Sequence, residues 1–193
     1  MMVSSTRCSR KVSRLAAFAV LWLVLIAPVP ADADGIAVKK AALTVAEDSY
    51  LLEADFDISL TPTLIEALNK GVSLYFLLEF ELIRPRWYWF NEKVAGIEQQ
   101  YRLTYNALTR QYRMGVGNLY QNFGTLTEAL EVMSRARRRE EIEPGAISKG
   151  VTYAASLRLR LDTAQLPKPF QINALGSREW NIGSDWYHWM VTP

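Results

Sequence analysis

The stretch Val72–Arg84, VSLYFLLEFELIR, decides the fold. Val72, Leu74, Phe76, Leu78, Phe80 and Leu82 fall on one side of an extended chain, and Ser73, Tyr75, Glu79 and Glu81 fall largely on the other. Side chains of a strand alternate between its faces, so this period of two describes a strand with one face buried and one solvated. Pro85, which has no backbone N–H to give to a ladder, ends it.

Working outward, the same period recurs. Tyr50–Leu60 alternates Tyr50, Leu52, Ala54, Phe56, Ile58 and Leu60 with Leu51, Glu53, Asp55, Asp57 and Ser59, and Ile36–Val45 before it is a weaker strand. Downstream, Ile97–Tyr105 sets Ile97, Tyr101, Leu103 and Tyr105 against Glu98, Gln100, Arg102 and Thr104, which makes it the antiparallel neighbour expected for Val72–Arg84. Gln111–Val116 and Leu119–Phe123 flank Gly117-Asn118, residue types that accept the positive backbone angles of a tight hairpin turn. Val151–Leu161 is the last long strand, with Tyr153, Ala155, Leu157, Leu159 and Leu161 inward and Thr152, Ser156, Arg158 and Arg160 polar.

Two connections read as helices. Thr61 as N-cap, Pro62 at the first helical position, Leu64, Ile65 and Leu68 on one face and Gly71 as stop predict a short one. Thr125-Leu126-Thr127-Glu128 is a capping box, and Leu126, Ala129, Leu130 and Met133 follow at helical spacing, giving a helix expected to reach about Arg139. Pro144-Gly145 suits a type II turn, and the Pro- and aromatic-rich chain from Asp162 onward carries no assignable period. Such short linkers leave no room for the crossovers of a parallel sheet. The expected fold is mainly β, an antiparallel β-sandwich or strongly bent sheet with two short helices in its connections, with α+β as the alternative.

Residues 1–33 have the form of an export leader. Arg7, Arg10, Lys11 and Arg14 precede the apolar run Leu15–Ala27, which is shorter than the ~20 residues of an uncleaved span, and Ala31-Asp32-Ala33 offers small residues at a peptidase site. Cleavage after Ala33 would leave residues 34–193 as a single mainly-β domain, periplasmic or secreted, with no transmembrane span. It would also change the formal net charge of +2 to −1, 18 cations against 19 anions. A near-neutral surface gives no electrostatic footprint for nucleic acid. Cys8, the single cysteine, precedes the apolar run, so the mature chain would have no disulfide, no thiolate zinc site and no cysteine nucleophile.

Chemistry-bearing residues are sparse. His188 is the only histidine, which limits any metal site to oxygen ligands with at most one imidazole; no metal, cofactor or catalytic residue is expected. Glu79 with Glu81, and Glu53 with Asp55 and Asp57, share strand faces as glycosidase carboxylates can. Arg102, Arg158 and Arg160 lie on the equivalent faces of neighbouring strands, however, and ion-paired solvent faces account for the same pattern. Arg135 and Arg137–Arg139, followed by Glu140, Glu141 and Glu143, read as a solvated helix end.

Aromatic residues are the candidates for binding. Outside the leader every tryptophan falls in one of two clusters: Trp87, Tyr88, Trp89 and Phe90 in a loop, and Trp180, Trp186 and Trp189 with Tyr187 near the C-terminus. Packed on each other they form a satellite core; exposed, they suit a sugar ring, a peptide or a membrane interface.

The strand Ser156–Asp162 (SLRLRLD), the adjacent Leu166–Pro169 (LPKP), the closing Trp180, Trp186 and Trp189, and the acidic strand Leu52–Leu60 with the helix Pro62–Asn69 resemble a family of exported proteobacterial proteins known as domain of unknown function 4390. The resemblance implies a cell-envelope protein with no assigned activity and no catalytic residues to carry over. Its members are often encoded beside a membrane sensor histidine kinase, which implies a sensory accessory. The function expected is a non-enzymatic envelope domain binding a protein, such as that kinase, or another envelope component; a carbohydrate-binding or carbohydrate-active protein is the alternative.

Overall fold

The computed structural model describes residues 35–46, 49–85, 92–141 and 146–193; the leader, Trp87–Phe90 and the Pro144-Gly145 turn lie outside the described residues. In chain order the elements are β1 (Gly35–Val45), β2 (Ser49–Ser59), α1 (Pro62–Asn69), β3 (Leu74–Arg84), β4 (Glu92–Asn106), β5 (Gln111–Val116) and β6 (Leu119–Phe123). There follow α2 (Leu126–Met133), β7 (Arg135–Glu141), β8 (Tyr153–Leu161), α3 (Lys168–Gly176) and β9 (Tyr187–Val191), with single 3₁₀ turns at Thr163–Gln165 and Arg178–Trp180.

The strands form two antiparallel sheets, a small one in the order β1-β2-β7 and a large one in the order β6-β5-β4-β3-β8-β9. β3 is central to the large sheet, which explains its strong alternation: Leu74, Phe76, Leu78, Phe80 and Leu82 are each at most 1% exposed. β8 adds Tyr153, Ala155, Leu157, Leu159 and Leu161 to the same inner face. From the small sheet, Tyr50, Leu52, Ala54 and Phe56 meet that face, and the Tyr50 and Phe80 rings stand 5.9 Å apart across the two layers. The structure is therefore the mainly-β, antiparallel two-sheet fold expected, with three α-helices among the described residues where two were expected.

Both expected helices start where their caps place them. Thr61 Oγ1 accepts from the Leu64 N–H at 3.3 Å, and Thr125 Oγ1 from the Glu128 N–H at 3.2 Å. The second helix is shorter than expected. It ends at Met133 with Ser134 as C-cap, and the arginine run is not a helix end but the strand β7, antiparallel to β2. Tertiary pairing overrides local propensity here: Arg137 faces Glu53 and Arg135 faces Asp55 in register, while Ala136 between them is 3% exposed. Arg137 Nε lies 3.2 Å from Glu53 Oε1, and its Nη2 lies 2.9 Å from Asp55 Oδ1.

Candidate functional site

The C-terminal tryptophans do not converge. Trp180 is 5% exposed, with its ring 5.3 Å from that of Phe170, and the neighbouring Glu179 carbonyl accepts from Thr61 Oγ1 at 2.9 Å. It is a core residue, which corrects its expected place on a binding surface. Trp189 stands opposite Ala155 and packs on the inner face 6.0 Å from the Phe80 ring; its buried indole Nε1 has no acceptor among the described residues. Trp186 instead lies on the outer face, half-exposed, with the Arg158 guanidinium carbon 4.4 Å from its ring centroid. Trp87, Tyr88, Trp89 and Phe90 are the part of the candidate site that lies outside the described residues.

Arg158 is fixed by more than Trp186. Its Nε donates to Glu79 Oε2 at 2.6 Å, and Arg160 Nε donates to the same oxygen at 2.9 Å. Burial alone would raise the Glu79 carboxyl, but these two hydrogen bonds and the charges behind them prevail and hold it below the usual carboxylate range. A general acid needs the opposite shift. Glu81, next on the same face, takes an ion pair from Lys93 at 2.8 Å. His188 faces Ser156 across the β8–β9 pair, exposed to solvent. Among the described residues, no group of three or more His, Cys, Asp and Glu side chains is placed to hold a metal ion.

A different surface has the shape of a binding site. β7 pairs with β2 only from Ser49 to Asp55, and its last backbone contact is the Phe56 N–H donating to the Ser134 carbonyl at 2.8 Å. β2 nonetheless runs on to Ser59, held on its other side by β1. Successive residues of a strand direct their backbone groups to opposite neighbours. The N–H and C=O of Ile58 therefore point the same way as those of Phe56, to a side where no described strand pairs with them.

Beside that edge lies a groove of about 610 Å³ between β2, α1 and α2. Phe56, Ile58, Leu60, Ile65, Leu126 and Leu130 supply its apolar lining. The charged residues at its rim neutralise one another, Lys39 with Asp57 at 3.0 Å and Arg135 with Glu131 at 2.7 Å. The sequence shows these apolar residues only as inward-facing positions of a strand and two helices. The groove exists because α2 ends early and β7 begins too late to cover the end of β2.

The whole is an antiparallel two-sheet domain in which, among the described residues, the end of β2 runs beyond its partner β7 next to an apolar groove. A family model described as a domain of unknown function, DUF4390, matches residues 33–190, and the chain belongs to that family. No curated protein and no solved structure matches it. Among the described residues no helix is long and apolar enough to cross a membrane.

Proposed function

We propose that the chain is a non-enzymatic cell-envelope domain that binds a protein partner, and that the groove beside β2 receives an extended segment of that partner. One observation carries the reading: on the side of β2 that faces β7, no described strand pairs with Ile58, which lies at the margin of an apolar groove. An added strand pairs with the Ile58 N–H and C=O and places alternate side chains against Ile65, Leu126 and Leu130. Because the rim charges are already paired, the groove favours an uncharged, apolar segment over a charged one. Export by the leader, with Asp34 as the mature N-terminus, supports an envelope partner; a membrane sensor kinase is one candidate, and mass spectrometry of the mature N-terminus tests the export.

The binding test uses a photo-crosslinking residue in place of Thr127, an exposed groove-lining position on α2. The expected crosslink maps to a short apolar segment of another envelope protein. A synthetic peptide of that segment should slow hydrogen exchange at the Ile58 amide, and Leu130→Lys should abolish both effects. Crosslinks only to glycan or lipid, or a peptide that leaves Ile58 exchange unchanged, would overturn the reading.

A further inference from the structure

On the outer face of the large sheet, far along the ladder from Glu79, two arginines stand together without a counter-charge among the described residues. Arg102 on β4 faces Gly115 on β5, and Arg113 on β5 faces Thr104 on β4. The two side chains are thus diagonal neighbours on one face, with Cβ atoms roughly 7 Å apart in such a ladder. Neither guanidinium has a carboxylate partner among the described residues; Arg102 Nη2 reaches only Ser73 Oγ, at 3.4 Å. Arg158 and Arg160, on the same face, share Glu79.

Both cations are held by tyrosines. The Arg113 guanidinium carbon lies 4.1 Å from the centroid of the Tyr120 ring, and that of Arg102 lies 5.6 Å from the Tyr75 ring. Tyr120 can lie across β5 because its cross-strand partner is Gly115: a Cβ there would sit 2.7 Å from Tyr120 Cε1. Arg102, Thr104, Arg113 and Tyr120 line a hollow of about 200 Å³, which adjoins a polar cleft of about 460 Å³ bordered by Ser73 and Asn122.

We infer that this hollow is a binding site for a phosphoryl group, with Arg102 and Arg113 as its two forks. Two like charges side by side on one sheet face repel, and an anion between them turns that cost into attraction. A single arginine satisfies both oxygens of a carboxylate; two forks suit the three terminal oxygens and double charge of a phosphate monoester. Thr104 and Ser73 add hydroxyls at the margin. The phosphoryl group has two sources, a soluble phosphate ester or a lipid headgroup. Leu108, 95% exposed in the β4–β5 turn between cleft residues Ala107 and Thr109, provides an apolar tip that only the lipid would use.

The test titrates the full chain at low salt with inorganic phosphate by calorimetry and, separately, with equimolar phosphatidic acid–phosphatidylcholine vesicles by co-sedimentation. Arg102→Gln and Arg113→Gln should each weaken binding about tenfold or more, the scale of one lost charge-assisted hydrogen bond. Gly115→Ala keeps every charge but displaces Tyr120, and should weaken binding as well. Phosphate binding that ignores Leu108→Ser supports the soluble source; vesicle binding lost in Leu108→Ser supports the lipid source. Far-UV circular dichroism confirms that each variant is folded. No binding of either probe, binding that survives both arginine substitutions, or binding indifferent to a folded Gly115→Ala would overturn the site.

Discussion

Arg158 and Glu79 face each other directly across the β3–β8 pair, and Arg158 Nε lies 2.6 Å from a carboxylate oxygen that Arg160 Nε also reaches at 2.9 Å. The Glu79 side chain is only 16% exposed, so its charge depends on these two partners. Replacing it by Gln leaves two arginines short of an acceptor and should destabilise the domain by about 2 kcal/mol, measured by urea unfolding. The penalty depends on pH. The folded pKa of Glu79 is depressed, so its contribution is full above the unfolded value of about 4.3 and is lost as the pH falls through the lower folded value. Wild type and Glu79→Gln should therefore converge in acid; a gap that stayed constant down to the acid transition would contradict this account.

Tyr50 sets the opposite limit. Burial beneath the small sheet, reinforced by the charge of Glu140 against a smaller opposing effect of Arg138, raises its phenol to about 12. The unfolded phenol ionises first, at about 10, so stability that is full below that value is lost as the pH rises toward the folded one. Tyr50→Phe removes the ionisation while keeping the ring against Phe80, and its unfolding free energy should fall less steeply between about pH 10 and about pH 12 than that of wild type.

Trp180 and Trp186 share a sequence cluster and should behave as unlike residues. Trp180→Ala empties a packed position beside Phe170 and should cost about 3–5 kcal/mol. Trp186→Ala loses the stacking of Arg158 on a half-exposed ring, which is worth about 1 kcal/mol or less. Thermal unfolding of the two variants side by side decides the matter; equal losses would place Trp186 in the core too.

Thr61 caps α1 and fastens it to the C-terminal segment by donating to the Glu179 carbonyl. Thr61→Ala should lose about 1–2 kcal/mol, and Thr61→Ser, which keeps the hydroxyl, should recover most of it. A Ser variant as unstable as the Ala variant would assign the effect to the lost methyl packing.

Where the chain's own alternation determines structure, the sequence is readable. β3, β8 and the Gly117-Asn118 hairpin follow from period and turn chemistry alone, and the arginines opposite Glu79 were expected on equivalent faces of its neighbours. β7 is different: Arg135–Glu141 becomes a strand through Glu53 and Asp55, which lie far back in the sequence, and a helix end explains the same residues locally. α3 has no apolar stripe at helical spacing and no side-chain cap at Pro167, so its helix depends on its surroundings rather than on its own pattern. The groove was hidden for the same reason as β7, since its opening is set by the residue at which that strand begins. Trp180 illustrates the reverse difficulty: tryptophan-rich composition is alike in a core and on a binding surface, and only the packing on Phe170 separates them.

Arg137, whose guanidinium donates to the Ala54 carbonyl, comes 83 residues after it. The small sheet thus cannot be completed until most of the chain is available, and until then β2 is paired on one side only, by β1. Contacts of such long sequence separation slow folding, because a large loop must be closed before the pairing yields any return. The arrival of the seventh strand therefore limits how early in assembly the small sheet can be complete.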